Sequence, residues 1–265
     1  MSLHFDQFFQ QIDLSEEESS IAIARAKNVA ANLTHGKHRR DTVITGSIIR
    51  STAVRHFSDV DIVASIGRYS NSESIDPHDA LRRIERDLRK IYPSATISGN
   101  VVTVGFEEGL NVDVLPALSA EINAPGGPVF KIPSADHSHW EEYSPGRQDE
   151  RVRVAARSSG EKLLRVIRLA KWWSRKNGGV IPSHEIETMA CEALSGILPS
   201  FPRAVEKFFE SALRLREFPP EIRSAILGAH SLARSANSAL QQGNELRSIA
   251  YWRCLLGDKF PTVAR

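Results

Sequence analysis

The 265-residue sequence has only two cysteines, no long hydrophobic run and little net charge. Cys191 and Cys254 are far apart and form no CxxC pattern, which argues against a disulfide framework and against a cysteine-ligated zinc site. No stretch approaches the roughly 18 apolar residues of a membrane span. The first residues, MSLHFDQFFQQID, lack the basic and then apolar regions of a signal peptide. These absences predict a cytoplasmic protein.

The net charge of +2 conceals a basic stretch between residues 147 and 176. Ten Lys or Arg residues lie in that stretch against three acidic residues. Such a local excess favours a polyanionic ligand, and it suits nucleoside triphosphates and RNA about equally.

Hydrophobic periodicity predicts strands and helices in the first part of the chain and helices alone in the last part. The predicted strands are 42–45, 60–66, 101–106 and 110–115, and Gly109 in the turn joins the last two as a hairpin. The predicted helices are 15–35, which begins with a capping box, then 48–54, 81–91, a strong helix ending near 177, 183–197, 202–215, 221–242 and 244–256. Residues 69–77 are predicted to form a loop, and residues 116–145 a long excursion over the surface.

This order predicts an α+β fold, with a mixed β-sheet in the first lobe and a C-terminal helical lobe. The division is predicted near Arg157, so that residues 1–157, including an N-terminal helix, form the first lobe and residues 158–265 the second.

Three carboxylates stand where charge is costly. Asp59 and Asp61 precede an apolar run, and Asp113 lies between valines in a predicted strand. Side chains two residues apart on a strand point the same way, so the first two carboxylates repel each other. A divalent cation removes the conflict, and carboxylates without nearby His or Cys favour Mg²⁺ or Mn²⁺. Asp59, Asp61 and Asp113 are therefore predicted to be the catalytic residues and metal ligands of a two-metal site, although the doublet alone also fits a solvated strand edge.

A Gly-Ser turn precedes the acidic doublet. Gly46 lets the backbone approach a phosphate closely, and Ser47 offers a hydroxyl and a backbone N–H at the start of the predicted short helix. Both residues are predicted to bind nucleotide. Arg50 and Arg55 follow, and each could bind acceptor phosphates or be an ordinary surface charge.

The ordered set of Gly46-Ser47, Thr52, Ser58-Asp59-Val60-Asp61 and the later Asp113 resembles the signature of the DNA polymerase-β-like nucleotidyltransferases. The set of motifs is more specific than a lone Gly-Ser or Asp-x-Asp. It implies a polymerase-β-like catalytic core for the predicted α+β lobe, and a helical lobe that closes the nucleotide pocket.

The resemblance extends over residues 43–261. The segment LLRVIRLAKWW resembles the helix of oligoadenylate synthetases and their bacterial relatives that carries a triphosphate-contacting lysine, which is Lys171 here. The segment IPSHEIETMACEAL resembles their PSxxLE segment, whose serine reaches the phosphates and is Ser183 here. The ending YWRCLLGDKFP resembles that of bacterial cGAS/DncV-like nucleotidyltransferases of the SMODS type, with Leu256 in place of the usual phenylalanine.

This resemblance implies an enzyme that joins nucleoside triphosphates, ATP first among them, with release of pyrophosphate. The product would be a cyclic di- or oligonucleotide second messenger in antiphage defence, sensed by a downstream effector. Neither a membrane nor an obligate nucleic acid is expected. Two alternatives stay open: nucleotidyl transfer onto tRNA, protein or an antibiotic, and a nucleotide- or RNA-binding module of the antitoxin kind. The three carboxylates and the Gly-Ser turn argue against an inert module.

Overall fold

The computed structural model describes residues 1–35, 41–66, 75–107, 109–121, 127–196 and 199–263. The chain divides into two compact units. The sheet unit comprises Leu14–Glu150, and the helical unit combines Met1–Asp13 with Arg151–Arg265. This division differs from the one predicted near Arg157, both at the boundary and in placing the first 13 residues with the helices.

Regular elements follow one another along the described parts of the chain. The helices are α1 Ser2–Ile12, α2 Glu16–His35, α3 Pro77–Arg89, α4 Pro145–Ser159, α5 Glu161–Lys176, α6 Ser183–Ala193, α7 Phe201–Leu215, α8 Pro220–Gln241 and α9 Glu245–Leu256. The strands are β1 Thr42–Thr45, β2 Val60–Ser65, β3 Thr96–Ser98, β4 Val101–Val104, β5 Val112–Glu121, β6 Val129–Pro133 and β7 Trp140–Tyr143.

The strands form a mixed sheet of order β1-β2-β5-β4-β3, in which β2 and β5 run parallel. The second half of β5 pairs with β6, which pairs with β7. Helices α2 and α3 pack on one face of the sheet, because their apolar stripes meet the alternate, fully buried residues of β2, β4 and β5. That core contains Ala22, Ala26, Val29, Leu33, Leu81, Ile84, Leu88, Val60, Ile62, Ala64, Val102, Val104, Val112 and Val114.

Helix α1 was not predicted as a separate element. Phe5 makes edge contacts with Trp252 and Phe260, at ring-centroid distances of 5.0 Å each. Phe8 packs edge-on against Trp172, whose indole N–H donates to the carbonyl oxygen of Leu256 at 2.9 Å. The aromatic side chains of α1 thus belong to the core of the helical unit, which explains why the first residues leave the sheet unit.

Most of the predicted elements are present. The capping box at the start of α2 is formed, since Ser15 Oγ accepts from the Glu18 backbone and Glu18 accepts from the Ser15 backbone. The predicted hairpin is β4 and β5, and the five helices predicted after residue 157 are α5 to α9. The predicted loop at 69–77 lies largely outside the described residues, and Pro77 begins α3.

Two predictions of local structure were wrong. Residues 48–54 do not form a helix: residues 48–51 form turns and residues 52–54 no regular element, because Ser51 has a φ of 58°, in the left-handed region that ends a helix. Residues 116–145 are not a surface excursion, since they contain the end of β5 together with β6 and β7. Their many Pro and Ser residues concealed the strands: Pro116 lies inside β5, paired with Ala64 of β2, and Pro133 ends β6.

Within the described residues, no helix is long and apolar enough to cross a membrane. The expectation that the helical lobe closes a nucleotide pocket stays a prediction.

Candidate active site

A polar row crosses four strands of the sheet unit. The register pairs Thr45 of β1 with Asp61 of β2, Asp61 with Asp113 of β5, and Asp113 with Thr103 of β4. Directly paired residues on neighbouring strands project from the same face. Asp61 and Asp113 therefore stand side by side, on the face opposite the one that packs on α2 and α3.

Asp113 is held by a hydrogen bond from the neighbouring strand. Thr103 Oγ1 donates to Asp113 Oδ1 at 2.6 Å. Burial raises the pKa of Asp113 above its ordinary value, the Thr103 hydrogen bond opposes that rise, and the negative charge of Asp59 adds to it. A cation placed beside this carboxylate would favour its ionised form.

Asp59 lies just before β2 and is fixed by the backbone of the neighbouring strand. Its Oδ1 accepts from the backbone N–H of Asn111 at 3.1 Å. Asp59 also acts electrostatically on Asp113. The structure thus places Asp61 beside Asp113, with Asp59 near enough to act on Asp113.

Gly46 is adjacent to Asp61 for a steric reason. It has a φ of 102°, and a Cβ at this position would overlap the carboxylate of Asp61. Glycine meets both requirements, because it adopts positive φ without strain and leaves room for the carboxylate. The sequence analysis predicted that Gly46 lets the backbone approach a phosphate closely. In this structure the group next to Gly46 is the carboxylate of Asp61.

The turn after Gly46 presents backbone donors. Thr52 N–H donates back to the Ser47 carbonyl at 2.9 Å, and Arg50 N–H donates to the Gly46 carbonyl at 3.2 Å. Within the described residues, the N–H groups of Ser47, Ile48 and Ile49 have no hydrogen-bond acceptor. The turn can therefore offer successive N–H groups to an anion, without the regular helix that the sequence predicted.

The donor set of this site suits a hard divalent cation. In the described part of the chain, no three His, Cys, Asp or Glu side chains form a ready-made metal cluster. Mg²⁺ is commonly held by one or two carboxylates together with substrate phosphates. Asp59, Asp61 and Asp113, close to a turn that can bind phosphate, fit this mode of binding.

Several neighbours of the site were missed by the sequence analysis. Tyr143 of β7 lies close to Asp61: burial and the charge of Asp61 raise its pKa to about 12. Thr103, Asn111 and Thr45 lie next to the carboxylates because of the way the strands pair. A polar residue at an inward position of a strand, such as Thr103 in VVTV, is the one signal that could have drawn attention to them.

Two predicted nucleotide-binding residues lie in the helical unit. Lys171 on α5 and Glu187 on α6 form an ion pair at 2.7 Å, with side chains 4% and 0% exposed. Ser183, at the start of α6, is exposed. Trp172 and Trp173, beside Lys171, are both buried. The assignment of Lys171 and Ser183 to triphosphate binding stays a prediction.

Comparison with known proteins identifies the family. Residues 1–154 match the model of the Second Messenger Oligonucleotide or Dinucleotide Synthetase domain, SMODS. The chain belongs to the SMODS family. This confirms the resemblance drawn from the motifs, the nucleotidyltransferase activity it implies, and the general function of second-messenger synthesis.

Individual relatives agree with this family. A cyclic AMP-AMP-AMP synthase of an Acinetobacter strain is 24% identical, with 84% of this chain and 73% of the relative covered. A cyclic AMP-AMP-AMP synthase of Escherichia coli MS 115-1 is 26% identical, with 62% of this chain and 54% of the relative covered. This chain therefore spans about half the length of the second relative in that match.

Solved structures confirm the predicted fold. The structure of E. coli MS115-1 CdnC in complex with HORMA-deltaN is similar with a TM-score of 0.77 and 20% identity, over 97% of both chains. At this identity the likeness establishes the fold, which is a mixed β-sheet with helices as in the cGAS/DncV-like nucleotidyltransferases (CD-NTases).

Proposed function

We propose that this SMODS protein joins ATP molecules into a cyclic oligoadenylate, and that a divalent cation, Mg²⁺ or Mn²⁺, is required. The observation that carries the proposal is the row of Asp61 and Asp113 across parallel strands, beside the Gly46–Ser47 turn. The names of the two relatives support ATP as the substrate.

In the proposed reaction, a ribose hydroxyl of the acceptor nucleotide attacks the α-phosphorus of the donor. A new P–O bond forms, the bond to the β-phosphate bridging oxygen breaks, pyrophosphate leaves and the hydroxyl proton is lost. A bound divalent cation would supply charge neutralisation for the triphosphate and for the leaving group. Repetition of this step lengthens the linear product, and a final attack of its terminal ribose hydroxyl on the α-phosphorus of its own triphosphate would close the ring with release of a further pyrophosphate.

The residues have separate roles in this proposal. Asp59, Asp61 and Asp113 hold the cation, and Thr103 and the Asn111 backbone fix two of these carboxylates. Gly46 and Ser47 present N–H groups and a hydroxyl to the triphosphate. The roles of Lys171 and Ser183 follow from the resemblance to oligoadenylate synthetases, and Lys171 would have to share its ammonium group between the phosphates and Glu187.

The product is proposed to act as a signal in antiphage defence, read by an effector that recognises a cyclic oligonucleotide. The family-level function in second-messenger synthesis supports this role. NTPs alone are expected to suffice as substrates, without added nucleic acid.

The test is incubation of the purified protein with each labelled NTP, and with all four, in Mg²⁺ or Mn²⁺, followed by phosphatase. A phosphatase-resistant product from ATP is expected, and its formation should stop in Asp61→Asn. If NTPs alone give no product and added tRNA or protein becomes labelled, macromolecule modification replaces second-messenger synthesis as the activity of this chain.

A further inference from the structure

The turn that follows Gly46 is tied to helix α4 by an ion pair. Arg50 Nη1 donates to Asp149 Oδ1 at 2.8 Å, and the two side chains are 11% and 34% exposed. Asp149 lies 99 residues further along the chain. A charge-assisted bond to a largely buried guanidinium is stronger than an exposed surface pair. The contact therefore restrains the conformation of the turn.

Two hydroxyl groups extend this contact. Thr45 Oγ1 donates to the same oxygen of Asp149 at 3.5 Å, and the Thr45 side chain is hydrogen-bonded to the Tyr143 hydroxyl. The result is a chain of hydrogen bonds from β7 through β1 to Asp149, where it meets Arg50.

The network connects the turn with the row of carboxylates. Thr45 is fully buried and is the register partner of Asp61. Arg50 belongs to the turn, and its backbone N–H donates to Gly46. The Asp149 carboxylate thus accepts hydrogen bonds from Thr45, which lies beside Asp61, and from Arg50, which lies in the turn after Gly46. This arrangement favours a positioning role for Arg50 over the binding of acceptor phosphates.

We propose that Asp149 is a positioning residue for triphosphate binding, which acts through Arg50 on the conformation of residues 46–52. The proposal rests on the proposed function, since it takes this turn as the triphosphate site. Asp149 itself does not contact the substrate. Its carboxylate holds the guanidinium of Arg50, and the turn thereby keeps the N–H groups of Ser47 and its neighbours in one arrangement.

The test compares Asp149→Asn and Asp149→Glu with a matched control, Glu18→Gln. Glu18 pairs with Arg55 at 2.8 Å, just after the same turn, so the control also removes one ion pair from this region. Two quantities are measured: hydrogen exchange of the peptide covering residues 46–52 without nucleotide, and kcat and KM for ATP with Mg²⁺.

In Asp149→Asn we expect exchange in the turn to become about tenfold faster and KM to rise about tenfold, with kcat changed less than about threefold. Asp149→Glu, which keeps the charge, should recover to within about threefold of the wild type, and Glu18→Gln should stay within about twofold. If Asp149→Asn behaves like Glu18→Gln in both measurements, the proposal is wrong.

Tyr143→Phe keeps the test decisive if Asp149→Asn does not fold. It removes one hydroxyl from the same network, and we expect exchange in the turn to become about threefold faster. Exchange equal to that of the wild type would contradict the proposal. If the wild-type protein neither binds nor consumes any NTP, the proposed function fails, while exchange without nucleotide still decides whether Asp149 orders the turn.

Discussion

The two units arrange their partly or fully buried charged side chains in opposite ways. In the sheet unit, Asp61 and Asp113 stand side by side on neighbouring strands, half-buried, and burial together with the charge of Asp59 raises the pKa of Asp113. In the helical unit, Lys171 and Glu187 neutralise each other at 2.7 Å in a fully packed interior. The first cluster repels itself in the absence of a cation, whereas the second is satisfied without any ligand.

This difference separates two kinds of evidence for a functional residue. A cluster of like charges destabilises the folded protein unless it binds an ion of opposite charge, so its presence indicates a ligand. A buried ion pair is compatible with a purely structural role, because each partner removes the cost of burying the other. The carboxylates of the sheet unit are thus supported as a ligand site by their physics, and Lys171 by resemblance alone.

The largest expected effect is that of Asp61→Asn on catalysis. Loss of this carboxylate removes several kcal/mol of charge stabilisation from the reaction, so pyrophosphate release should fall by about 10³-fold or more. Stability without metal should hold or rise, because repulsion with Asp113 is relieved. Pyrophosphate release and thermal melting in EDTA measure both effects, with the exposed Asp41→Asn as the control. Turnover near that of the wild type would end the metal-site proposal.

The second effect concerns stability of the helical unit. Lys171→Met removes the ammonium group that pairs with the buried Glu187 carboxylate, and it should lower the free energy of unfolding by about 3–5 kcal/mol. The double variant Lys171→Met/Glu187→Leu should recover most of that loss, since both charges are removed. Chemical denaturation checks this. If the single variant is as stable as the wild type, Lys171 does not offset the cost of burying the Glu187 carboxylate.

The third effect is stabilisation by ligand. A non-hydrolysable ATP analogue with Mg²⁺, at about 100 times its Kd, should raise the free energy of unfolding by about 2.7 kcal/mol. EDTA should remove the increase, and Asp59→Asn should reduce it, because the cation and the triphosphate are bound together. Thermal shift measurements with and without EDTA check this. An equal shift in EDTA would show that the nucleotide binds without the carboxylates.

The smallest effect is that of Ser47→Ala on nucleotide affinity. The substitution removes one hydroxyl and leaves the backbone N–H groups in place, so binding of ATP should weaken by about 1 kcal/mol. Isothermal titration calorimetry measures the change, with the exposed Ser51→Ala of the same turn as the control. Equal affinities in the two variants would restrict triphosphate binding in this turn to its backbone.

The acidic doublet, Asp113 and the Gly-Ser pair were found from the sequence because unusual residue types mark them. Thr103, Asn111 and Thr45 were not found, since their contacts with the carboxylates depend on which strands pair and in which register. The strands after Pro116 were missed because a composition rich in Pro and Ser resembles that of a loop. Their existence depends on pairing with β5, which no local pattern reveals.

The sequence by itself determined what depends on neighbours along the chain. Helices α2 and α5 to α9, the capping box of Ser15 and Glu18, and the alternation of β2 and β5 arise from interactions over two to four residues, which a periodic pattern records. Only the tertiary structure decided that Asp61 lies beside Asp113, that Arg50 is paired with Asp149, and that α1 packs with the C-terminal helices. These contacts join residues from 52 to more than 200 positions apart. They are selected by the packing of whole elements, on which residue spacing along the chain carries no information.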